Sequence, residues 1–254
     1  MPAEWTPHSR CWMEWPTRAE TWGDGIEAAR DAYVEVATVI ARFEPVTMIA
    51  KPKNLIDASL RVGKDKNINV YSLAHDDSWM RDNGPTFALD GQGQVAGVQW
   101  RWNAWGNLYS EHERDAAVAQ GVIEHLGMRR YAAPIVMEGG AIHTDGEGTI
   151  LTTESVALDP KRNPGIGREA MEEILCAPLG GRKVIWLGEG LQDDETGGHV
   201  DNIACFARPG VVLALSSTDT ADGNYAALAD NIARLRAASD AQGRSLEVIE
   251  IEQP

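Results

Sequence analysis

The 254-residue chain is poor in cysteine, in positive charge and in long apolar runs, and each shortage removes a class of function. Its three cysteines, Cys11, Cys176 and Cys205, form no CxxC pair and no metal-ligand spacing, which argues against a disulfide framework and against a zinc cluster. Lys and Arg number 23 against 38 Asp and Glu, a formal net charge of −15. With no basic stripe to neutralise phosphates, nucleic acid is not an expected partner. A cationic ligand suits the charge, and so does plain acidic solubility until the acids are located. No stretch approaches the roughly 18 apolar residues of a membrane helix, and the N-terminal MPAEWTPHSR has no apolar signal core. The expectation is a soluble protein of a reducing cytoplasm, without a membrane partner.

What is present is a repeat. Three segments, RDNGPTFALDGQGQVAGVQW from Arg81, EGGAIHTDGEGTILTTE from Glu138 and GHVDNIACFARPGVVLALSS from Gly198, each join a polar signature to two β-rich runs through a Gly-containing turn, the pattern of a hairpin. A segment of helical period follows each hairpin. One carries Ala119, Val122, Ile123 and Leu126 before Gly127; another carries Tyr225, Leu228, Ile232 and Leu235. The strands APIVM, KVIWLGE and SLEVIEI come next. The signatures recur about 60 residues apart, and an earlier copy places Ile26, Ala29, Tyr33, Val36, Ile40 and Phe43 on a helix before the strand VTMIA. A ββαβ module in several copies is expected, arranged about an axis so that the signatures meet in a central pocket. An apolar content of 43% supports a full core, and no linker divides residues 1–254.

The signatures carry the chemistry. HDDSWMRDNGP holds Asp76, Asp77 and Asp82 among Trp79 and Arg81; such crowding is relieved by a cation or metal, or the acids simply cap a turn. MEGGAIHTDGEG sets Glu138 beside two glycines that admit close backbone approach, with His143 and Asp145 following; a hairpin with a surface carboxylate reads the same way. QDDETGGHVDN supplies Asp193, Asp194, Glu195, His199 and Asp201, and on a strand His199 and Asp201 would share a face. Three acid-rich signatures at matching points of a repeat weigh more than any one alone. Eight of nine tryptophans lie in the first 105 residues; most should pack, and one or two in RWNAWGN are candidates to line the pocket.

The runs MPAEWTPHSRCWMEWP, DDSWMRDNGP, EGGAIHTDGEGT, LDPKRNPG and DETGGHVDNIACFARPGVVL resemble, in order, the agmatine deiminase family, relatives of bacterial-type peptidylarginine deiminase. The resemblance implies a pentein fold, an α/β propeller of ββαβ modules about a pseudo-fivefold axis, and conversion of agmatine and water to N-carbamoylputrescine and ammonia with no metal or organic cofactor. It implies that Asp82 and Asp201 hold the guanidinium by paired hydrogen bonds. His199 would be the general acid and base, and Glu138 would orient the guanidinium or His199. Glu195 would take the ligand's far ammonium and Trp79 would wall its alkyl chain.

A guanidinium is a weak electrophile and needs a strong nucleophile. The family places its cysteine in a GGG-x-x-H-C type segment that these residues do not match. Cys205, on a strand, would stand roughly 13 Å from Asp201 and about 20 Å from His199, and is expected to be a small buried apolar residue. The expectation is a single deiminase domain over 1–254, C-terminally truncated, lacking the nucleophile and inactive as it stands. Three alternatives stay open: a noncatalytic binder of guanidines or similar cations, a peptidylarginine-type activity, and a metal-dependent hydrolase using His143 with Asp145 and His199 with Asp201. A homo-oligomer is allowed and not required.

Overall fold

The structure, a computed structural model, describes residues 1–63 and 65–253. Among these the expected hairpins and crossovers form four three-stranded sheets. The first contains β1 (Cys11–Glu14), β2 (Val46–Ala50) and β3 (Ile68–Ser72), all parallel. The second contains β4 (Thr86–Leu89), β5 (Val95–Arg101) and β6 (Arg129–Val136); the third β7 (His143–Thr144), β8 (Thr149–Thr153) and β9 (Lys183–Leu187); the fourth β10 (Ala204–Arg208), β11 (Val211–Ser216) and β12 (Glu247–Glu252). In these three the first pair is antiparallel, joined by the DGQG, DGEG or RPG turn, and the second pair is parallel. A parallel return needs a crossover, which helices supply.

The crossover helices are α1 (Ile26–Ile40), α2 (Leu55–Val62), α4 (Val118–His125), α5 (Arg168–Leu179) and α6 (Tyr225–Ala237), with the one-turn α3 (Met80–Asn83) inside the first signature. Ala119, Val122 and Ile123 of α4 are buried, as are Leu228, Ile232 and Leu235 of α6, which pack with Leu187, Val212 and Phe206. Two members of the α1 pattern depart from expectation: Val36 is 49% exposed while Ala37 beside it is buried, and α1 stops at Ile40, leaving Phe43, beyond it, 81% exposed.

Repetition fixes where the signatures lie. Each follows the carboxyl end of the second parallel strand of a module, β3, β6 or β9, and ends in one short helical turn before the next hairpin: α3, Gly139–Ala141 and Val200–Asn202. These turns pack on one another, so side chains about 60 residues apart are brought to one place. His199 and Asp201 therefore belong to a tight turn ahead of β10, with His199 at φ −56 and ψ 137 preceding it. Strand parity does not relate them to each other or to Cys205.

Candidate active site

The Glu138-Gly139-Gly140 run is the floor of the site. A Cβ on Gly139 would lie 2.0 Å from the carbonyl oxygen of Arg81, and one on Gly140 would lie 2.5 Å from His199 Nδ1, 2.7 Å from Asp201 Oδ2 and 2.9 Å from Asp82 Oδ1. Only glycine allows three functional side chains this close to backbone. Gly140 N–H also donates to Asp82 Oδ1 at 3.1 Å.

His199 stands between carboxylates, with Nδ1 3.6 Å from Asp82 Oδ1 and Nε2 3.5 Å from Glu138 Oε2. The second approach is an ion-pair contact at the outer limit of hydrogen-bond length, and Nε2 is buried without another partner. Glu138 is fully buried. Its charge is met by Arg162, whose Nε donates to Oε1 at 2.9 Å and to Oε2 at 3.2 Å, while Nη1 donates to Asp159 at 2.8 Å and Nη2 to the Thr196 carbonyl at 2.5 Å. Arg162 thus ties Glu138 to the loop that carries His199. Within that loop Asp194 accepts from Thr196 N, Thr196 Oγ1 and Gly198 N, and Thr196 Oγ1 accepts from His199 N at 3.1 Å.

Asp201 is the most open of the group, its side chain 28% exposed and 3.5 Å from Arg81 Nε. Arg81 Nη2 in turn meets Glu4 at 2.6 Å, and Glu4 reaches the buried His143 at 3.4 Å. His143 Nδ1 accepts from Phe206 N at 3.3 Å, and Asp145 is occupied by Glu147 N, Thr149 N and Thr149 Oγ1. That second His-x-Asp pair therefore builds its own hairpin, and no three His, Cys, Asp or Glu side chains among the described residues form a metal-binding group.

A tryptophan wall closes the other side. Trp105 Nε1 donates to Asp82 Oδ2 at 3.2 Å, and the Trp105 ring meets Trp79, Trp102 and Tyr109 edge-on at 5.1, 4.7 and 6.1 Å. The backbone that presents it is left-handed over Ala104, Trp105, Gly106 and Asn107, with φ of 51, 53, 81 and 69. This conformation costs about 1–2 kcal/mol for each residue other than glycine. Glu195 stands exposed on the 191–198 loop.

Burial raises the Asp82 carboxyl to about 6, helped by Glu138 and Asp201 and opposed by His199 and the Gly140 amide. Burial likewise raises Asp201, against His199 and Arg81. For His199 burial works against the charge, but Glu138, Asp82 and Asp201 outweigh it and raise its pKa. The surrounding carboxylates thus favour the charged imidazole, and burial favours their own pairing with a further cation.

Asp82, Glu138, His199 and Asp201 are brought together; Trp79 meets the Trp105 ring that bonds Asp82, and Glu195 is exposed on the 191–198 loop. Sequence reasoning passed over Arg162, although LDPKRNPG was in view, because nothing in a basic residue beside Pro signals burial. Glu4 and Arg81 were also missed as partners. Trp105 was foreshadowed only as one of several candidates in RWNAWGN.

Repeated ββαβ modules with their signatures converging on one point define a pentein. Within that fold the chain belongs to the Porphyromonas-type peptidyl-arginine deiminase family, whose model matches residues 1–254. It is 46% identical to the putative agmatine deiminase of Legionella pneumophila Philadelphia 1 over all of this chain and 73% of that protein. It is 46% identical to the agmatine deiminase of Stutzerimonas stutzeri over all of this chain and 70% of that one. Superposed on the agmatine deiminase of Enterococcus faecalis, it gives a TM-score of 0.95 at 38% identity, covering 100% of this chain and 70% of that chain. No helix among the described residues is long and apolar enough to cross a membrane.

Proposed function

We propose that this site recognises the guanidinium of agmatine for hydrolysis to N-carbamoylputrescine and ammonia. The observation that carries the reading is the convergence of Asp82, Asp201 and His199 on Gly140. Two carboxylates with lone pairs left over from these contacts suit the planar, multiply donating guanidinium, and the relatives named agmatine deiminase favour agmatine over a peptidyl arginine. Asp82 and Asp201 bind the group. His199, whose charged form the neighbouring carboxylates favour, gives a proton to the departing ammonia and then takes one from the water that completes hydrolysis. Glu138, held by Arg162, keeps the imidazole charged and aimed. Trp79 borders the ligand chain, and Glu195 on the rim loop meets its far ammonium.

Deimination also needs a thiolate to attack the guanidinium carbon, expel ammonia and form an amidino thioester that water cleaves. The reading leaves that role unassigned among the three cysteines of this chain. Burial raises all three thiols, and Cys205 is raised further by Glu4 and Asp201, the reverse of what a reactive thiol requires. The reading assigns these 254 residues guanidine recognition and acid-base groups, with the nucleophile not among Cys11, Cys176 and Cys205.

The test is calorimetric titration with agmatine, alongside an ammonia-release assay. The expected result is saturable binding, lost in Asp82→Asn and in Asp201→Asn, with ammonia at background. Unchanged affinity in both variants would overturn the site; turnover abolished by Cys205→Ser would overturn the assignment of the thiols.

A further inference from the structure

We propose that Trp105 is a positioning residue for guanidine recognition: its indole N–H, presented by the left-handed turn 104–107, fixes the orientation and ionisation of Asp82. The inference rests on the guanidine reading above and adds a residue and a device to it. Asp82 has two oxygens. Oδ1 accepts from Gly140 N and lies by His199, while Oδ2 accepts from Trp105 Nε1 at 3.2 Å. The indole therefore sets the rotation of the carboxylate plane, and with it the direction of the lone pairs left for a ligand. It is also a neutral donor, able to favour the charged carboxylate without repelling an incoming cation, as Arg or Lys at this point would.

The backbone shows that this placement is imposed. Four successive residues in the left-handed region, three of them not glycine, persist only where surroundings over-determine them, and here they do. Asn103 Oδ1 accepts from Gly106 N at 2.9 Å and Asn103 Nδ2 donates to the Lys161 carbonyl at 3.1 Å. Asn107 N and Leu108 N donate back to the Asn103 and Ala104 carbonyls. A Cβ on Gly106 would stand 3.2 Å from both Asp159 Oδ2 and Lys161 Cβ, so the turn rests on the segment that offers Arg162 to Glu138. A right-handed or extended course through Ala104–Asn107 would carry the indole away from Asp82. The turn thus links the two halves of the carboxylate set, Asp82 through Trp105 and Glu138 through Arg162.

The experiment compares agmatine affinity as a function of pH in the native chain, Trp105→Phe and Asn103→Ala, with circular dichroism of each. Trp105→Phe keeps a six-membered ring in the aromatic cluster and removes the N–H together with the pyrrole part of the indole. Affinity is expected to fall about tenfold, in line with loss of a hydrogen bond to a charged group, and the pH at which binding sets in is expected to move up as Asp82 becomes harder to ionise. Asn103→Ala leaves the indole intact and frees the turn, so it should reproduce both changes in smaller degree; it also decides the matter if the Phe variant does not fold. Native-like affinity with an unmoved pH onset in the folded variants overturns the proposal. Absence of agmatine binding by the native chain instead overturns the guanidine reading on which it rests.

Discussion

Gly140 shows how a residue without a side chain can determine the site. The three contacts that a Cβ would make there, all under 3.0 Å, involve His199, Asp201 and Asp82 at once, so relief at one pushes into another. Gly140→Ala is expected to fold at a cost of about 1–3 kcal/mol, as overpacking of a tight site does, and to lose agmatine affinity by more than about tenfold because the reacting groups are splayed. Thermal melting and calorimetry on the same sample separate the two effects; full affinity would show that the carboxylates do not act together. The glycine pair beside Glu138 was visible in the sequence as a place of close approach, and the acids were visible by their recurrence. Residues that complete the site from outside the signatures were not: Arg162, Glu4 and the indole of Trp105 carry no local pattern that distinguishes a buried partner from a solvated or packing side chain.

At the scale of elements, the hairpins and crossover helices were legible because each obeys one period, two for the strands and 3.6 for the helices. The turn holding His199 and Asp201 was not, since the His-x-Asp spacing fits a strand face as well as the one-turn helix Val200–Asn202 that forms. What shapes that segment is a set of hydrogen bonds accepted by the Asp194 and Thr196 side chains, together with Arg162, which reaches Thr196 and Glu138 across the gap between two loops. Both members of the Arg162–Glu138 pair are almost wholly buried. Removing the guanidinium leaves Glu138 as an uncompensated buried charge, and Arg162→Ala should destabilise the fold by about 3–5 kcal/mol. Arg162→Lys restores charge without the fork that spans Glu138, Asp159 and Thr196, so it should recover only part of that loss. Equal melting of the Lys variant and the native chain would show that the fork does not organise the loop.

The whole molecule adds a pH dependence that no single signature predicts. Buried acids accumulate on one side of the first module: Glu14, raised well above the usual range by burial and by Asp115, and Asp115, raised to about 7 by burial and by Asp76 against the amides of Asp76 and Asp77. With Asp82 at about 6, these groups hold more protons folded than unfolded. The contribution of Asp82 and Asp115 to stability is thus complete below pH ~4 and is lost as pH rises through about 6 to 7, and Glu14 acts in the same sense. Glu4, lowered to about 2 by His143 and Arg81 against burial, acts in the opposite sense: its contribution is present above the unfolded value and is lost as pH falls toward 2. The melting temperature should therefore peak near pH ~5 and decline toward pH 8, the raised groups together accounting for on the order of several kcal/mol. Asp115→Asn keeps an oxygen to accept from the Asp76 and Asp77 amides while removing the charge that appears at high pH. It should flatten the decline and match or exceed the native melting temperature at pH 8. Agmatine should offset the same decline, because it binds best when Asp82 is ionised and stabilises the state it binds. A melting temperature that climbs steadily from pH 5 to 8 in the native chain would mean that these carboxyls ionise in the fold at ordinary values, and that burial in the first module does not control its charge.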